Sequence, residues 1–210
     1  MKPLHTVTGP AIPLRRANVD TDVIIRIERL TDVARDALGP FAFEALRRQS
    51  DGKTDPASVF DDPARAGAPI LIAGANFGCG SSREGAVWAI AALGIRCIIA
   101  PSFGGIFATN AFQNGVLTIT LDARTVDELL DCAEADAAAP FGVDLERCTI
   151  RPPNGAAIPF EIARLRRLSL LEGRDEIEMT MKHANAIAAF RARDAAERPW
   201  IYDLPSRSAQ

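Results

Sequence analysis

A run of glycine, serine and charged residues between positions 76 and 84 carries groups well suited to binding an anion. Its glycines let the backbone approach a ligand closely, and a helix is predicted to begin at its end, where free N–H groups favour negative charge. Ser81 and Ser82 add hydroxyl donors, and Arg83 can hold a carboxylate through two parallel hydrogen bonds. These residues predict a site for a carboxylate or a phosphate.

The same run also allows a purely structural interpretation. Ser81 and Glu84 have the S-x-x-E spacing of a capping box, which satisfies the first N–H groups of a helix. A cap does not exclude an anion, because the two use different N–H groups. Nucleotide sites fit less well: a P-loop needs a lysine that this run lacks, and a dinucleotide site prefers an acid where Ala100-Pro101-Ser102 stands.

Other residues that usually perform proton transfer or metal binding are scarce. The chain has two histidines, His5 and His183, and one tyrosine, Tyr202. The cysteines are Cys79, Cys97, Cys132 and Cys148. They include no CxxC pair, so their spacing predicts neither a zinc site nor an iron–sulfur site on this chain. We interpret Cys79 as a small residue packed under the glycine-rich turn.

The elements that must position this run form a predicted βαβ unit. Residues 70–73 and 97–100 are continuous apolar runs, which are typical of strands covered on both faces. Between them, apolar residues fall on one face of a helix that ends at Gly94. The two strands should be parallel, with a right-handed crossover.

The remaining segments are predicted from turn residues and hydrophobic periodicity. Turn signals at 8–10 and 18–22 indicate short strands in the first 30 residues. We expect residues 1–198 to form one domain and residues 199–210 to form a loose tail. A loop is predicted at 101–105, and Ser102 in it is predicted to cap the next helix. Helices are predicted over 33–46, 106–114, 126–138, 164–171 and 174–193, the last with a break near His183. Strands are predicted over 116–121, 143–150 and 157–162.

Composition excludes several classes of protein. Lys and Arg number 24 against 27 Asp and Glu, and the net charge of −3 argues against a nucleic-acid clamp. The apolar fraction of 48% is ordinary for a globular domain. No run reaches the roughly 18 apolar residues of a membrane helix, and the first residues do not resemble a signal peptide. We therefore expect a cytoplasmic protein that binds neither nucleic acid nor membrane.

Four short strings, taken in order, carry a family resemblance. They are Asn18-Val19-Asp20-Thr21-Asp22, Phe77-Gly78-Cys79-Gly80-Ser81-Ser82-Arg83-Glu84, Ala100-Pro101-Ser102-Phe103 and Ala184-Asn185-Ala186-Ile187-Ala188-Ala189-Phe190. Together they resemble the small subunits of 3-isopropylmalate dehydratase, in the aconitase superfamily, from about residue 3 to residue 193. The Gly-Ser-Ser-Arg-Glu string is highly specific to that superfamily.

The resemblance implies an α/β fold, a swivelling three-layer β/β/α domain like the aconitase C-terminal domain. Such a domain caps a separate large subunit, as a heterodimer or heterotetramer, in an enzyme that isomerises 2- and 3-isopropylmalate by dehydration and rehydration for leucine biosynthesis. The large subunit holds a 4Fe-4S cluster whose open iron acts as a Lewis acid, so no cofactor is expected on this chain.

The resemblance also implies roles for individual residues toward a small hydroxy-diacid substrate. Ser81, as an alkoxide, would remove the C–H proton, while Ser82 and Arg83 would bind a substrate carboxylate. An alkoxide requires nearby N–H groups and positive charge, which this loop can provide. Asp22 matches an aspartate near the family's site and is expected to contribute to substrate binding, although an Asx turn or a helix cap would also explain it.

Several residues around the site depart from the family pattern and leave the substrate open. They are Arg26, Glu28, Arg29, Gly85, Val87, Gly104 and Gly105. One alternative is therefore a related hydro-lyase that acts on another hydroxy-diacid, such as a methylated malate or citrate. An added arginine after Asp22 would suit a more polar substrate group. A second alternative is a module that binds an anion without catalysis.

Overall fold

The computed structural model describes residues 1–81 and 83–202. The chain divides into two compact units, Met1–Gly173 and Arg174–Gln210, and each is described by itself. The expected single domain over residues 1–198 stays a prediction.

Within residues 1–81 and 83–173, the strands form two four-stranded sheets. The strands are β1 (Thr6–Gly9), β2 (Ala11–Leu14), β3 (Ile70–Ala73), β4 (Cys97–Ala100), β5 (Leu117–Thr120), β6 (Phe141–Asp144), β7 (Thr149–Arg151) and β8 (Ile158–Pro159). One sheet has the order β2-β3-β4-β5 with parallel pairs, and the other has the order β1-β6-β7-β8 with antiparallel pairs. The chain passes from one sheet to the other at Pro10, which has no N–H to donate to a ladder.

Helices lie between the strands of the parallel sheet along the chain, and the last two helices lie in the second unit. The helices are α1 (Thr21–Ile24), α2 (Ile27–Asp32), α3 (Glu44–Arg47), α4 (Glu84–Ala92), α5 (Gly105–Gln113), α6 (Ala123–Ala135), α7 (Arg164–Glu172), α8 (Glu176–Met181) and α9 (Ala184–Glu197). Short 3-10 turns occur at Arg35–Ala37, Gly39–Phe41, Pro63–Arg65 and Pro199–Ile201.

The predicted βαβ unit is confirmed. Strand β3, helix α4 and strand β4 follow one another, and β3 pairs with β4 in parallel, with Ile70 opposite Cys97 and Ile72 opposite Ile99. Every residue of both strands is buried, as their continuous apolar sequences require. The chain turns after α4 at Gly94, whose φ of +101° suits glycine.

The parallel sheet is the middle of three layers. On one face, Leu71 packs in a core with Ile90 of α4. On the other face, Ile72 packs in a second core with Phe141 of the antiparallel sheet and Leu129 of α6. This arrangement confirms the predicted β/β/α layering, and it leaves the ends of the parallel strands free to carry loops.

Two predicted elements are wrong. The helix predicted over 33–46 is replaced by separate short turns, because Gly39-Pro40 interrupts the helical backbone and Phe43 adopts a φ of +56°. The strand predicted over 143–150 is a hairpin of β6 and β7, since the chain reverses before Cys148, whose φ is +52°.

The helix predicted over 126–138 begins and ends three residues earlier, as α6. Its start is set by Asp122, whose carboxylate accepts a hydrogen bond from the Thr125 N–H at 3.0 Å. An N-cap of this kind satisfies one of the first N–H groups that have no partner inside the helix.

The second unit contains the predicted helix break. Helices α8 and α9 are separated at Lys182 and His183, which confirms the interruption expected near His183. A capping box starts α8: the Asp175 carboxylate accepts from the Glu178 N–H at 2.7 Å, and the Glu178 carboxylate accepts from the Asp175 N–H at 2.9 Å.

The first residues of the predicted tail are ordered against α9. The Tyr202 hydroxyl donates to the Asp194 carboxylate at 2.8 Å, and Arg198 also pairs with Asp194. These hydrogen bonds lower the pKa of Asp194. The remainder of the predicted tail, residues 203–210, lies outside the described residues.

No helix among residues 1–81 and 83–202 combines the length and the apolar character that crossing a membrane would demand.

Candidate functional site

Three loops meet where parallel strands β2, β3 and β4 end. They are residues 15–20, 74–81 and 101–104. The carboxyl ends of neighbouring parallel strands lie at one edge of a sheet, and ligands of α/β proteins bind at that edge. The convergence therefore brings the Asp22 segment and the Ser81 segment together, as a site shared between them requires.

The first two loops are joined by backbone hydrogen bonds that continue the β2–β3 pairing. The Asn18 N–H donates to the Ala75 carbonyl at 2.8 Å, and the Gly78 N–H donates to the Val19 carbonyl at 2.7 Å. The Thr21 N–H then donates to the Cys79 carbonyl at 3.1 Å. The main chain thus links the two loops up to two residues before Ser81.

The third loop is joined to the second in a similar way. The Phe77 N–H donates to the Ser102 carbonyl at 3.0 Å, and the Gly104 N–H donates to the Phe77 carbonyl at 2.9 Å. The prediction that Ser102 caps the next helix is wrong, because Gly104 occupies the cap position of α5. The Ser102 hydroxyl instead accepts from the Asn76 N–H at 2.8 Å and ties the loops together.

Glycine is required at two points of this junction by close approach. Gly78 has a φ of +71°, and a Cβ there would overlap the Phe107 ring. A Cβ on Gly104 would overlap the Gly78 carbonyl oxygen. Below the loops, Phe77 packs edge-on against Phe107, with ring centroids 5.4 Å apart. The site loop therefore sits directly on an aromatic core.

Ser81 presents its hydroxyl beside a buried threonine. Ser81 is exposed, whereas Thr21 is fully buried, and their hydroxyl oxygens lie 3.4 Å apart. Thr21 lies in the middle of the Asp-Thr-Asp string, but sequence reasoning did not assign it a role. The signal that could have found it is a hydroxyl residue between two aspartates in a loop predicted to face the site.

Arg83, at the cap position of α4, forms an ion pair with Asp22 of α1. The guanidinium pairs with the Asp22 carboxylate, and the two side chains are 27% and 58% exposed. The neighbouring Asp20 caps α1 by accepting from the Val23 N–H at 2.8 Å, so the two aspartates have different tasks. The Arg83 side chain is only partly covered, so a substrate carboxylate could reach it.

The capping box predicted for Ser81 and Glu84 is wrong. Helix α4 begins at Glu84, Arg83 occupies its cap position, and no side chain makes the cap hydrogen bond. Ser81 lies too far before the helix to cap it. Ser82 lies outside the described residues, so its predicted part in carboxylate binding stays a prediction.

The start of α4 is fixed by contacts with neighbouring elements. The Asn114 amide, at the end of α5, donates to the Glu84 carboxylate at 2.9 Å. A Cβ on Gly85 would lie 2.5 Å from the Leu30 side chain, so α2 packs tightly on this turn. The helix N-terminus beside Arg83 is therefore held in place.

Two further departures from the family pattern, besides Gly85 and Gly104, are the arginines Arg29 and Arg26. Arg29 donates to the Glu44 carboxylate at 3.2 and 2.9 Å, which lowers the pKa of Glu44 and commits this arginine to α3. Arg26 is exposed and lines a cavity of about 440 Å³ with Arg48 and other residues of the 44–52 segment. Arg26 is therefore the better placed of the two to meet a ligand.

The cysteines remain unpaired thiols in the described part of the chain. Cys97 is fully buried in β4, and burial raises the pKa of its thiol. Cys79 is half-buried in the site loop and contributes its backbone carbonyl to the loop junction. Neither observation gives a cysteine a part in the chemistry.

Three family models match successive parts of the chain. The aconitase C-terminal domain matches residues 1–124, and a family described as LeuD_N matches residues 127–163. The C-terminal domain of the 3-isopropylmalate dehydratase small subunit matches residues 176–203.

Proteins with established names are similar over the whole chain. The 3-isopropylmalate dehydratase small subunit of Erythrobacter litoralis (strain HTCC2594) is 46% identical over 209 residues, which cover 100% of both chains. The small subunit of the same name from Paramagnetospirillum magneticum (strain ATCC 700264 / AMB-1) is 47% identical, over 96% of this chain and 100% of that protein. A crystal structure of 3-isopropylmalate dehydratase from Methanocaldococcus jannaschii is 27% identical with a TM-score of 0.61, and covers 89% of this chain and 99% of that one.

Proposed function

The chain belongs to the family of 3-isopropylmalate dehydratase small subunits, and from this premise we propose that it is one half of a hydro-lyase that isomerises 2- and 3-isopropylmalate in leucine biosynthesis. The other half is a large subunit, and the pair acts in the cytoplasm. The observation that carries the proposal is the position of the Ser81 hydroxyl and the Arg83 guanidinium at one sheet edge, on loops that are held together by their backbones.

Ser81 acts as the base in this proposal. Its alkoxide takes a proton from the carbon next to a substrate carboxylate, and the C–H electron pair forms the double bond as the neighbouring carbon releases its hydroxyl, with the bonding pair, as hydroxide. When hydroxide then adds to the carbon that lost the proton, Ser81 returns that proton to the neighbouring carbon and becomes an alkoxide again. A base in contact with the reacting carbon contributes roughly 10²- to 10⁴-fold to such a step.

Three features favour the alkoxide form of Ser81. The Thr21 hydroxyl, 3.4 Å away and buried, is placed to donate a hydrogen bond to the Ser81 oxygen. Arg83 brings a positive charge two residues along the chain, and the N-terminus of α4 adds the positive end of a helix dipole. Fixed donors aimed at a developing negative charge lower its free energy without reorganisation.

Arg83 binds a substrate carboxylate, with Ser82 beside it. Because Asp22 already pairs with Arg83, the aspartate orients the guanidinium within the binding site. A planar guanidinium can hold the carboxylate in a two-pronged hydrogen bond, which also fixes the direction of the reacting carbon.

The described residues do not fit an iron–sulfur cluster. Within residues 1–81 and 83–202, no group of three or more His, Cys, Asp or Glu side chains could hold a metal ion. We place the 4Fe-4S cluster on the large subunit, where its open iron would supply Lewis-acid chemistry at the substrate hydroxyl. No step assigned to this chain passes through a metal.

Reconstitution tests this function. The chain is co-purified with the large subunit from the same genome, iron and sulfide are restored anaerobically, and the ultraviolet absorbance of the unsaturated diacid is followed. The panel contains both isopropylmalates, methylated malates and citrate. We expect turnover of the isopropylmalates by the two chains together and by neither alone. Preference for another diacid would assign the related hydro-lyase function, and turnover by this chain alone would contradict the proposal.

A further inference from the structure

Two asparagines join the loops of the site through their side chains. The Asn76 Nδ2 donates a hydrogen bond to the Asn18 Oδ1 at 2.8 Å. We call this pair the asparagine clasp. Both residues are exposed, so their amides reach across the surface of the junction.

The clasp sits at one end of the backbone junction, and the reacting groups sit at the other. Asn18 starts the sequence of backbone bonds that runs through Val19 to Thr21. Asn76 is anchored in addition by its N–H, which donates to the Ser102 hydroxyl at 2.8 Å. Any relative movement of the first two loops at the clasp would be transmitted along this junction toward Thr21 and Ser81.

The backbone at both positions has a conformation that glycine and asparagine adopt more readily than other residues. Asn18 and Asn76 have φ values of +56° and +57°, a left-handed conformation that glycine adopts without strain. The same loop uses glycine at Gly78 and Gly80, which also have positive φ. Asparagine tolerates this conformation and offers an amide, whereas glycine offers only the backbone freedom. The amide contact of the clasp is one that glycine could not make at these two places.

We propose that the asparagine clasp is a positioning device for the Ser81 base. It holds the Thr21 hydroxyl in register with the Ser81 hydroxyl, and it touches neither the substrate nor the proton in transfer. This role rests on the proposed function, because it assigns the clasp to the proton-transfer step.

Charge variants of the two asparagines provide the test. Asn18→Asp and Asn76→Asp each leave one amide and one carboxylate. The remaining amide can still donate a hydrogen bond to the carboxylate, if necessary after a rotation that exchanges its nitrogen and oxygen. The double variant has two carboxylates and no donor. In the reconstituted complex we expect kcat of the double variant to fall roughly three- to tenfold below the product of the single effects, from the loss of a net hydrogen bond. Measurement at saturating substrate separates this loss from a charge effect on KM.

Glycine variants separate the clasp from backbone strain. Asn18→Gly and Asn76→Gly remove the amide and keep the left-handed conformation accessible. We expect lowered kcat with an unchanged melting temperature. In a Thr21→Val background the loss of kcat on breaking the clasp should shrink, since the clasp acts through that hydroxyl. A role in stability alone would leave the loss unchanged in that background.

The outcomes distinguish the two proposals. If the wild-type complex fails to dehydrate any diacid of the panel, the proposed function is overturned, and the clasp role with it. If the wild-type complex turns over and the double aspartate variant matches the product of the single variants, the clasp role alone is overturned. The clasp role would also be overturned if breaking the clasp lowered kcat by the same factor in the Thr21→Val background as in the wild type.

Discussion

At the scale of single residues, the neighbouring hydroxyls of Thr21 and Ser81 differ in their exposure to solvent. Thr21 is fully buried and held by the loop backbone, whereas Ser81 is exposed to a ligand. A buried hydroxyl with a fixed position can donate to the same acceptor atom in every turnover. That difference is why Thr21 is assigned to support and Ser81 to proton transfer.

Thr21→Val should lower kcat of the reconstituted complex by about tenfold, because one donor to the developing alkoxide is lost. Thr21→Ser keeps the hydroxyl and is the matched control, with kcat expected to stay close to that of the wild type. Steady-state kinetics of both variants measure the effect. Equal activity in Thr21→Val and Thr21→Ser would remove Thr21 from the site.

Arg83→Lys should raise KM by about ten- to hundredfold with a smaller change in kcat, because a point charge replaces a planar fork. Asp22→Asn, which keeps the shape but weakens the hold on Arg83, should raise KM less. The Michaelis constants of both variants, measured on the same complex, check this order. An unchanged KM in Arg83→Lys would show that this side chain does not bind the carboxylate.

The family resemblance of two separate strings placed Ser81, Arg83 and Asp22 in one site, and the structure brings the two segments together. Their chemical roles stay predictions. Sequence reasoning missed Thr21, because the burial of its hydroxyl depends on where the rest of the chain packs. The alternative of a capping box at Ser81 and Glu84 is wrong, since spacing does not show where the first helical residue lies.

At the scale of elements, the loop after β3 depends on contact with α5. Gly78→Ala should lower the free energy of unfolding by about 2–4 kcal/mol, from a left-handed backbone and overlap with Phe107. Gly67→Ala is the matched control: Gly67 has the same φ of +71° and open space around its Cβ position. Its cost should be only about 1 kcal/mol. Urea unfolding of the two variants measures the difference, and equal losses would contradict the role of the overlap.

The irregular segment between α3 and β3 is held by an ion pair between Arg47 and Asp61. The Arg47 guanidinium donates to the Asp61 carboxylate from Nε at 3.1 Å and also to the Pro40 carbonyl at 3.1 Å. The hydrogen bonds from Arg47 lower the pKa of Asp61. A carboxyl with a lowered pKa in the folded state stabilises the fold at neutral pH, and this contribution falls as the pH drops below about 4.

Asp61→Asn should therefore lower the free energy of unfolding at pH 7. As the pH falls below about 5, its free energy of unfolding should decrease less than that of the wild type. Asp51→Asn, which removes a more exposed pair with Lys53, should have a smaller effect. Urea unfolding as a function of pH compares the three proteins. If the free energy of unfolding of Asp61→Asn falls with pH as steeply as that of the wild type, this pair is not a source of acid sensitivity.

The parallel strands were predictable, and the irregular segments were not. Continuous apolar runs such as 70–73 can be satisfied only where both faces are covered, so sequence and structure agree there. The hairpin at Cys148 has no such signal, because its turn uses a left-handed cysteine and not a glycine. Glu44 and Arg47 form only one helical turn, whose position is set by pairs with Arg29 and Asp61 from distant points of the chain.

At the scale of the whole molecule, the family assignment and the fold agree. The match to the aconitase C-terminal domain confirms the fold class expected from the sequence, and the parallel sheet of that region positions the site loops. The relatives are named small subunits, a name that implies a large subunit for each of them. The exposed Ser81 and the partly exposed Arg83 at one edge of the sheet are compatible with the proposal that a second chain completes the site.

The most direct test of this account is kcat of the reconstituted complex carrying Ser81→Ala. Thr180→Ala, which removes an exposed hydroxyl of α8 outside the site loops, is the matched control. We predict that kcat with isopropylmalate falls by about 10²- to 10⁴-fold in Ser81→Ala while the two chains still co-purify, and that Thr180→Ala matches the wild type. Turnover of Ser81→Ala within a few fold of the wild type would contradict the assignment of the base to this chain.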